Sequence, residues 1–393
     1  MTFQWSPPTK KIVIASDIPR FKRSIGYKNL TLAMASIIEK IKGIPLPKGT
    51  LDPKIVTRDS DVTQVAPKLE LPAPEMDKSA GSDAAGNIIG LLNDIDKITD
   101  STPPLTGPRR FGNMASRTWH DKLQSQAREL LANWVPKPSD LEDNDFSQFL
   151  DELQYYFVNS FGSKIRLDYG TGHELSFLAF LGALDRFKVV PFAEIRGVDI
   201  LIIFARYYDV VRRLIVEYTL EPAGSHGAWG LDDHFHLIYI LGAAQFNNVT
   251  AGSAPTVKSV LTSQVMEKYK EHNLYVNAIA FIHRIKKGPF YEHSSFLYDI
   301  HTTVYQWEKV LKGLLKMYED DVFSKFPVVQ HFWFGGVLYP WRDMGTNEEL
   351  PTSEAEEKAD AVLPGMINGG SGIRTTASNI SMTRTPWAKP PGR

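Results

Sequence analysis

Apolar residues recur at helical spacing along most of this chain, and the recurrence defines its elements. Leu30, Met34, Ile37 and Ile41 fall on one helical face, which predicts a helix between about Ser16 and Lys42. Ser16 and Asp17 ahead of Pro19 supply its start signal. Arg20, Lys22, Arg23 and Lys28 read as its solvated face. Periodicity resumes with Ile88, Leu92 and Ile95, seconded by Leu91 and Ile98, until Pro103-Pro104 removes a donor and stops it. Further helices are expected from Ala115 to Trp134 and from Phe146 to Val158. His173 to Phe187, Val198 to Leu220, Asp232 to Phe246 and Leu274 to Lys287 are apolar around most of their circumference, as buried helices are. Gly288-Pro289 ends the last of these, and a final helix is expected from Val304 to Phe326. Alternating apolar and polar runs are rare and short, so the expected fold class is all-α.

The pattern breaks in three places. Residues 1–15 carry no periodicity and are expected to be flexible. Residues 46–83 are dense in proline, serine and acid, which predicts a low-complexity insertion. Residues 341–393 begin with an acidic patch (Glu348, Glu349, Glu354, Glu356, Glu357) and continue into a Gly/Ser/Thr-rich tract. Such a composition cannot bury enough apolar surface to offset ordering entropy, so a disordered tail is expected. The helical domain is therefore expected over 16–45 and 84–340.

Composition narrows the chemistry. Lysine plus arginine (44) nearly balances aspartate plus glutamate (45), giving a net charge of −1 and none of the basic surplus of nucleic-acid binders. The absence of cysteine excludes disulfides, zinc–thiolate sites and thiol catalysis. The first residues lack the apolar centre of a secretory signal, and no apolar run reaches the ~18 residues of a membrane span. A soluble intracellular protein is the expectation. No Gly-Lys dipeptide exists for a phosphate loop, Phe177 stands where H-E-x-x-H needs its second histidine, and Gly224-Ser-His-Gly227 is not a nucleophile elbow. Asp143-Asn-Asp145 starts like a calcium loop, but Gln148 and Gln154 replace its glycine and closing glutamate.

Three stretches remain. Arg166 precedes the Gly170-Thr-Gly172 turn before a buried helix; exposed N–H groups there suit phosphate, and Arg166 would clamp its oxygens, although the turn serves equally as a plain capping loop. Glu221 to Asp233 holds Gly224, Gly227, Gly230, His226, Trp229 and the acids Asp232-Asp233. Those acids fit either the first turn of a helix or a hard cation such as magnesium. His234 and His236 point apart on a helix and do not complete a metal site. Gln330-His-Phe332 beside Trp333 is either aromatic core or a platform for stacking and edge recognition of a purine.

The run from Glu221 to Asp233, together with Arg166-Leu-Asp-Tyr-Gly-Thr-Gly-His-Glu174, Gly288-Pro-Phe-Tyr-Glu-His-Ser294 and Lys325-Phe-Pro-Val-Val-Gln-His-Phe-Trp-Phe-Gly335, closely resembles the phosphotyrosyl phosphatase activators, also called protein phosphatase 2A activators. The resemblance covers about 84–340, more weakly 16–45, and Thr102-Pro-Pro-Leu-Thr-Gly-Pro-Arg-Arg110 with the long tail looks nearer the first of two fungal branches. It implies an all-helical fold of core, linker and lid portions that binds the catalytic subunit of phosphatase 2A and related phosphatases in cytoplasm and nucleus; the alternative is a non-catalytic helical binding scaffold for the phosphatase. It also implies peptidyl-prolyl cis/trans isomerase activity on proline-containing peptides, with a peptide-mediated homodimer. ATP is implied at Arg166, Thr171, Gly172, Gln330, His331 and Phe332, and magnesium at Gly227 and Asp233. Ala228 replaces the usual valine before Trp229, and Lys164-Ile165 a small polar pair before Arg166; neither removes a ligand group. Isomerisation lowers an amide barrier of ~18–20 kcal/mol by desolvation and twisting and needs no triad, so no catalytic residue is legible. Trp229 with Gly227 and Gly230 is either a proline-accepting groove or a core anchor.

Overall fold

The computed structural model describes residues 3–56, 80–107, 111–250 and 252–353, the side chains of 80–82 excepted. The expected insertion at 57–79 and the tail from 354 onward lie outside the described residues. Among the described residues ten longer helices carry the fold: α1 (Ile25–Ile41), α2 (Ala80–Asp100), α3 (Ala115–Trp134), α4 (Asp143–Asn159), α5 (Thr171–Arg186), α6 (Gly197–Glu217), α7 (Leu237–Gln245), α8 (Leu274–Ile285), α9 (Ser295–Thr303) and α10 (Trp307–Tyr318). The described strands are two residues long: β1 (Asp168–Tyr169) pairs in parallel with β2 (Glu221–Pro222), Asp168 opposite Glu221. The all-α expectation is met.

The helices that are apolar all round form the centre. α5 is buried from His173 through Leu184 and packs on α1 and α4, and α7 is wholly buried between α8 and α10. The α7–α8 crossing requires Gly242, because a Cβ there would lie 2.0 Å from the Tyr275 backbone nitrogen. α2 and α6 meet through a charged seam within the core. Asp96 takes Arg206 at 2.5 Å and Arg213 at 2.7 Å, all three nearly inaccessible, and Asn93 accepts from Arg206 Nε at 2.8 Å. A buried charge is tolerated only when paired and hydrogen-bonded, and removing one partner typically costs ~3–5 kcal/mol.

Several expected boundaries move. The helix expected over Ser16 to Lys42 is broken at Arg23–Ser24, where Ser24 caps α1 by accepting the Tyr27 N–H at 3.0 Å. The final helix stops at Tyr318; Glu319–Phe323 widens into a π turn whose Glu319 carbonyl accepts from Ser324 Oγ at 2.6 Å.

Both ends of the described chain are ordered where disorder was expected. Trp5 Nε1 donates to Asp145 at 2.8 Å, Thr9 exchanges two backbone hydrogen bonds with Phe334 (2.9 and 2.8 Å), and Ile12 is buried. On the other side Trp341 and Leu350 are buried, and Ser353 Oγ donates to Asp17 at 2.7 Å. Residues 3–15 and 341–353 are thus corrected to parts of the folded unit. Their order comes from pairing with residues hundreds of positions away, which leaves no periodic trace. Residues 46–56 likewise bury Leu46, Leu51, Ile55 and Val56.

Asp209 of α6 holds that last segment by accepting the Asp52 N–H at 2.9 Å. Burial pushes the Asp209 carboxyl up to about 7 from 3.8, against the Asp52 N–H, Arg212 and Arg206. A raised carboxyl contributes stability below its unfolded value that is lost as pH rises through the folded one. Asp209→Asn, which stays neutral, should therefore gain stability relative to the parent chain between about pH 4 and pH 7, then level off. Urea unfolding at several pH values checks this, and a pH-independent difference would refute it.

Candidate functional site

Two buried glutamates set the loops that carry the recognisable stretches. Glu174, in the first turns of α5, accepts the N–H groups of His236 (2.8 Å), Leu237 (2.8 Å) and Ile238 (3.0 Å) and the Tyr208 hydroxyl at 2.8 Å. α7 has no side-chain cap of its own, so a carboxylate from another element satisfies its first N–H groups and faces its positive end. Glu152 of α4 does the same for the stretch after Phe332, accepting Val337 N–H at 3.2 Å and Leu338 N–H at 2.7 Å. Gly335 is required there, since a Cβ would sit 2.2 Å from Glu152 Oε1. Burial pushes each carboxyl up to about 7, and these hydrogen bonds oppose it.

Between α3, α4, the 162–166 turn and residues 331–333 lies an open cavity of about 790 Å³, within the range of small-molecule sites. Arg166 and His331 line it together, with Arg166 Nη1 3.2 Å from His331 Nε2 and Arg166 Nε 2.7 Å from Asp168. His173, from the first turn of α5, adds its ring, its Nδ1 donating to the Asn159 carbonyl at 2.6 Å. Lys10 enters from the amino-terminal strand-like segment and lies 5.0 Å over the Trp333 ring, itself edge-on to Tyr155. The cavity is electropositive. Burial lowers Lys10 and Arg166 lowers it further; burial, then Arg166, Lys10 and His173, push His331 down to about 4. His120 falls to about 3, mainly by burial, then by His173 and Lys164. Lys10, Lys164 and Arg166 outnumber Asp121 along the lining and suit an anionic guest. His120 and His331, held down chiefly by burial, are neutral near pH 7 and offer hydrogen bonds rather than charge.

The other residues implied for ATP stand near this cavity without lining it. Thr171 and Gly172 begin α5 against Val328, which a Gly172 Cβ would approach to 3.5 Å. Gln330 bonds back to the Pro327 carbonyl at 3.3 Å. Phe332 is buried among Tyr156, Phe334 and Tyr339, so its ring is core, and the aromatic faces toward the cavity come from Trp333 and Tyr155. Those two rings, Lys10, His120, Asn159 and His173 were not singled out from sequence. His173 and Trp333 lie inside the quoted stretches and were open to notice; Lys10 and His120 left no signal.

Gly227 and Asp233 do not line the cavity. Asp233 Oδ2 is paired with Lys286 at 2.6 Å and Oδ1 accepts from Ser225 Oγ at 2.7 Å. Gly227 (φ +58°) donates its N–H to Ser225 Oγ at 3.0 Å and accepts Gly230 N–H at 3.1 Å through its carbonyl. Asp232 caps its own turn, accepting His234 and Phe235 N–H groups and the Tyr239 hydroxyl. Among the described residues no three His, Cys, Asp or Glu side chains gather as metal ligands. With an ammonium against its carboxylate, this arrangement does not fit magnesium. Trp229 is 85% exposed and is no core anchor.

Comparison with known proteins identifies the family and the fold. Residues 8–341 match the family described as phosphotyrosyl phosphate activator (PTPA) protein. Serine/threonine-protein phosphatase 2A activator 1 of Debaryomyces hansenii is 52% identical, spanning 98% of this chain and 92% of its own length. The activator 1 of Saccharomyces cerevisiae is 46% identical over 81% of this chain and 78% of its own. The crystal structure of the PP2A phosphatase activator Ypa1 superposes with a TM-score of 0.71 at 38% identity, covering 87% of this chain and 97% of that one. On a match that runs from the amino-terminal segment through Trp341, the chain belongs to the PTPA family.

Proposed function

We propose that this chain activates protein phosphatase 2A by binding its catalytic subunit, with a nucleoside triphosphate such as ATP held in the electropositive cavity. The observation that carries the nucleotide half is the convergence of Arg166, Lys10 and His331 on one hollow that Trp333 and Tyr155 flank. The guanidinium of Arg166 suits bidentate contact with phosphate oxygens. The rings offer stacking faces for a base, and the Asn159 and Gln154 amides offer edge hydrogen bonds. The relatives' names and the whole-chain likeness support the phosphatase half. Magnesium enters this reading only as the counter-ion a triphosphate carries, not through Asp233.

Arg166→Ala should weaken ATP binding by roughly 10- to 100-fold, the worth of a hydrogen-bonded charge, and Arg166→Lys should recover only part of it. Calorimetric titration checks this; unchanged affinity would remove the cavity from the reading. With purified phosphatase 2A catalytic subunit, the parent chain should raise phosphoserine hydrolysis in an ATP-dependent way and Arg166→Ala should not.

A second reading, prolyl isomerisation, is favoured by one observation. The exposed Trp229 indole sits on the glycine loop at 224–230, against which the helices carrying Tyr291 and Phe296 pack. Aromatic faces of this kind accept proline rings and would desolvate the preceding amide. The parent chain should then accelerate cis/trans exchange of a proline peptide, and Trp229→Ala should lower that rate with ATP affinity unchanged. No acceleration by the parent chain rejects the activity.

A further inference from the structure

The carboxylate at Asp233 already has a cation. Lys286 caps the carboxyl end of α8, just before Gly288-Pro289 breaks the chain, and places Nζ 2.6 Å from Asp233 Oδ2. Both side chains are mostly shielded, at 19% and 17% exposure, so solvent does little to dilute the pair. From there the contact runs into the glycine loop. Asp233 Oδ1 accepts from Ser225 Oγ, and Ser225 Oγ accepts from the Gly227 N–H. Gly224 (φ +69°) and Gly227 (φ +58°) adopt left-handed conformations that need such fixing. Ser295 Oγ, at the start of α9, donates to the Ala228 carbonyl at 2.6 Å, and His226 meets Lys325 on the other flank. Trp229 lies between these tethers.

We propose that Lys286 occupies at Asp233 the place a divalent cation would take, so that this ion pair sets the loop presenting Trp229 without a metal. A hard dication needs free oxygen ligands. Here one carboxylate oxygen faces an ammonium and the other faces a hydroxyl donor, so a dication would enter against a like charge. Lys286 is thus a positioning residue for Trp229. Lys286→Met keeps the stem and its packing while freeing one carboxylate oxygen, and should let a hydrated divalent cation associate with Asp233. The inference concerns the chain without nucleotide or phosphatase, so its failure leaves the cavity reading untouched.

The test uses the full chain, free of nucleotide, with Mn2+ as probe and Trp229 fluorescence as readout, the other seven tryptophans being subtracted with Trp229→Phe. The parent chain and Lys286→Arg should show no Asp233-dependent quenching into the millimolar range. Lys286→Met should be quenched at Mn2+ concentrations at least roughly tenfold lower, since juxtaposed like charges cost several tenfold steps of affinity. The double variant Lys286→Met/Asp233→Asn should lose that response. Chymotryptic cleavage after Trp229 should be faster in metal-free Lys286→Met than in the parent chain or Lys286→Arg, and Mn2+ should slow it again. Asp233-dependent quenching of the parent chain as strong as that of Lys286→Met overturns the proposal. So do equal cleavage rates in all variants, with circular dichroism showing each folded.

Discussion

The site depends first on one buried carboxylate. Glu174 ends the stretch that begins at Arg166, and it caps α7, which begins just after the stretch ending at Asp233. Three backbone N–H groups and a tyrosine hydroxyl all donate to it. Because every neighbour donates, the ionised form is the one the surroundings satisfy, even as burial pushes its carboxyl up to about 7. Leaving one buried donor unpaired costs ~1–3 kcal/mol. Three such donors at one helix start make this contact a condition for the fold around the site. Glu152 repeats the device for residues 337–338, and Gly335 leaves it room.

Legibility in the sequence followed the distance over which each element is determined. α3 was legible to the residue, because its buried face (Trp119, Leu123, Ala127, Leu131) repeats locally. α7 starts five residues later than the Asp232 its acids suggested. Asp232 does accept N–H groups, but those of a tight turn; the true cap lies 62 to 64 positions upstream. The ends of the folded unit failed for the same reason. Asp17 gathers the Val13 and Ile14 N–H groups, Arg20 and Ser353, a contact set spanning the whole described chain. Composition averaged over proline and glutamate cannot show it.

Within the site, chemistry was legible where one residue type has one evident use. Arg166 and His331 were expected together and do share a cavity. The Gln330-His-Phe332 stretch was ambiguous between core and ligand platform, and its residues divide between the two: Phe332 went to the core and His331 to the cavity. The magnesium expectation at Gly227 and Asp233 came from resemblance, and no sequence pattern could reveal that Lys286, fifty-three positions on, would reach the same carboxylate.

The cavity and the Trp229 loop are separate, yet they share a backbone support. β1 leads into Gly170 and α5, whose first turn reaches the cavity wall; β2 leads into Gly224 and the loop. The two strands pair, and Gly170 is packed so closely on Ala223 that a Cβ would fall 2.8 Å from its methyl. No side chain separates them to absorb a shift. On the far side His226 touches Lys325, six residues before His331 on the segment bordering the cavity. The Gly170–Ala223 contact is close-packed and transmits displacement for want of void space to damp it, whereas His226–Lys325 is an exposed polar contact. Arg166 and His331 are already 3.2 Å apart, so an anion in the proposed nucleotide site would bear on a contact flanked by both supports of the loop. In the nucleotide reading proposed above, Gly170–Ala223 and His226–Lys325 are the two contacts through which occupancy of the cavity would reach the Trp229 loop.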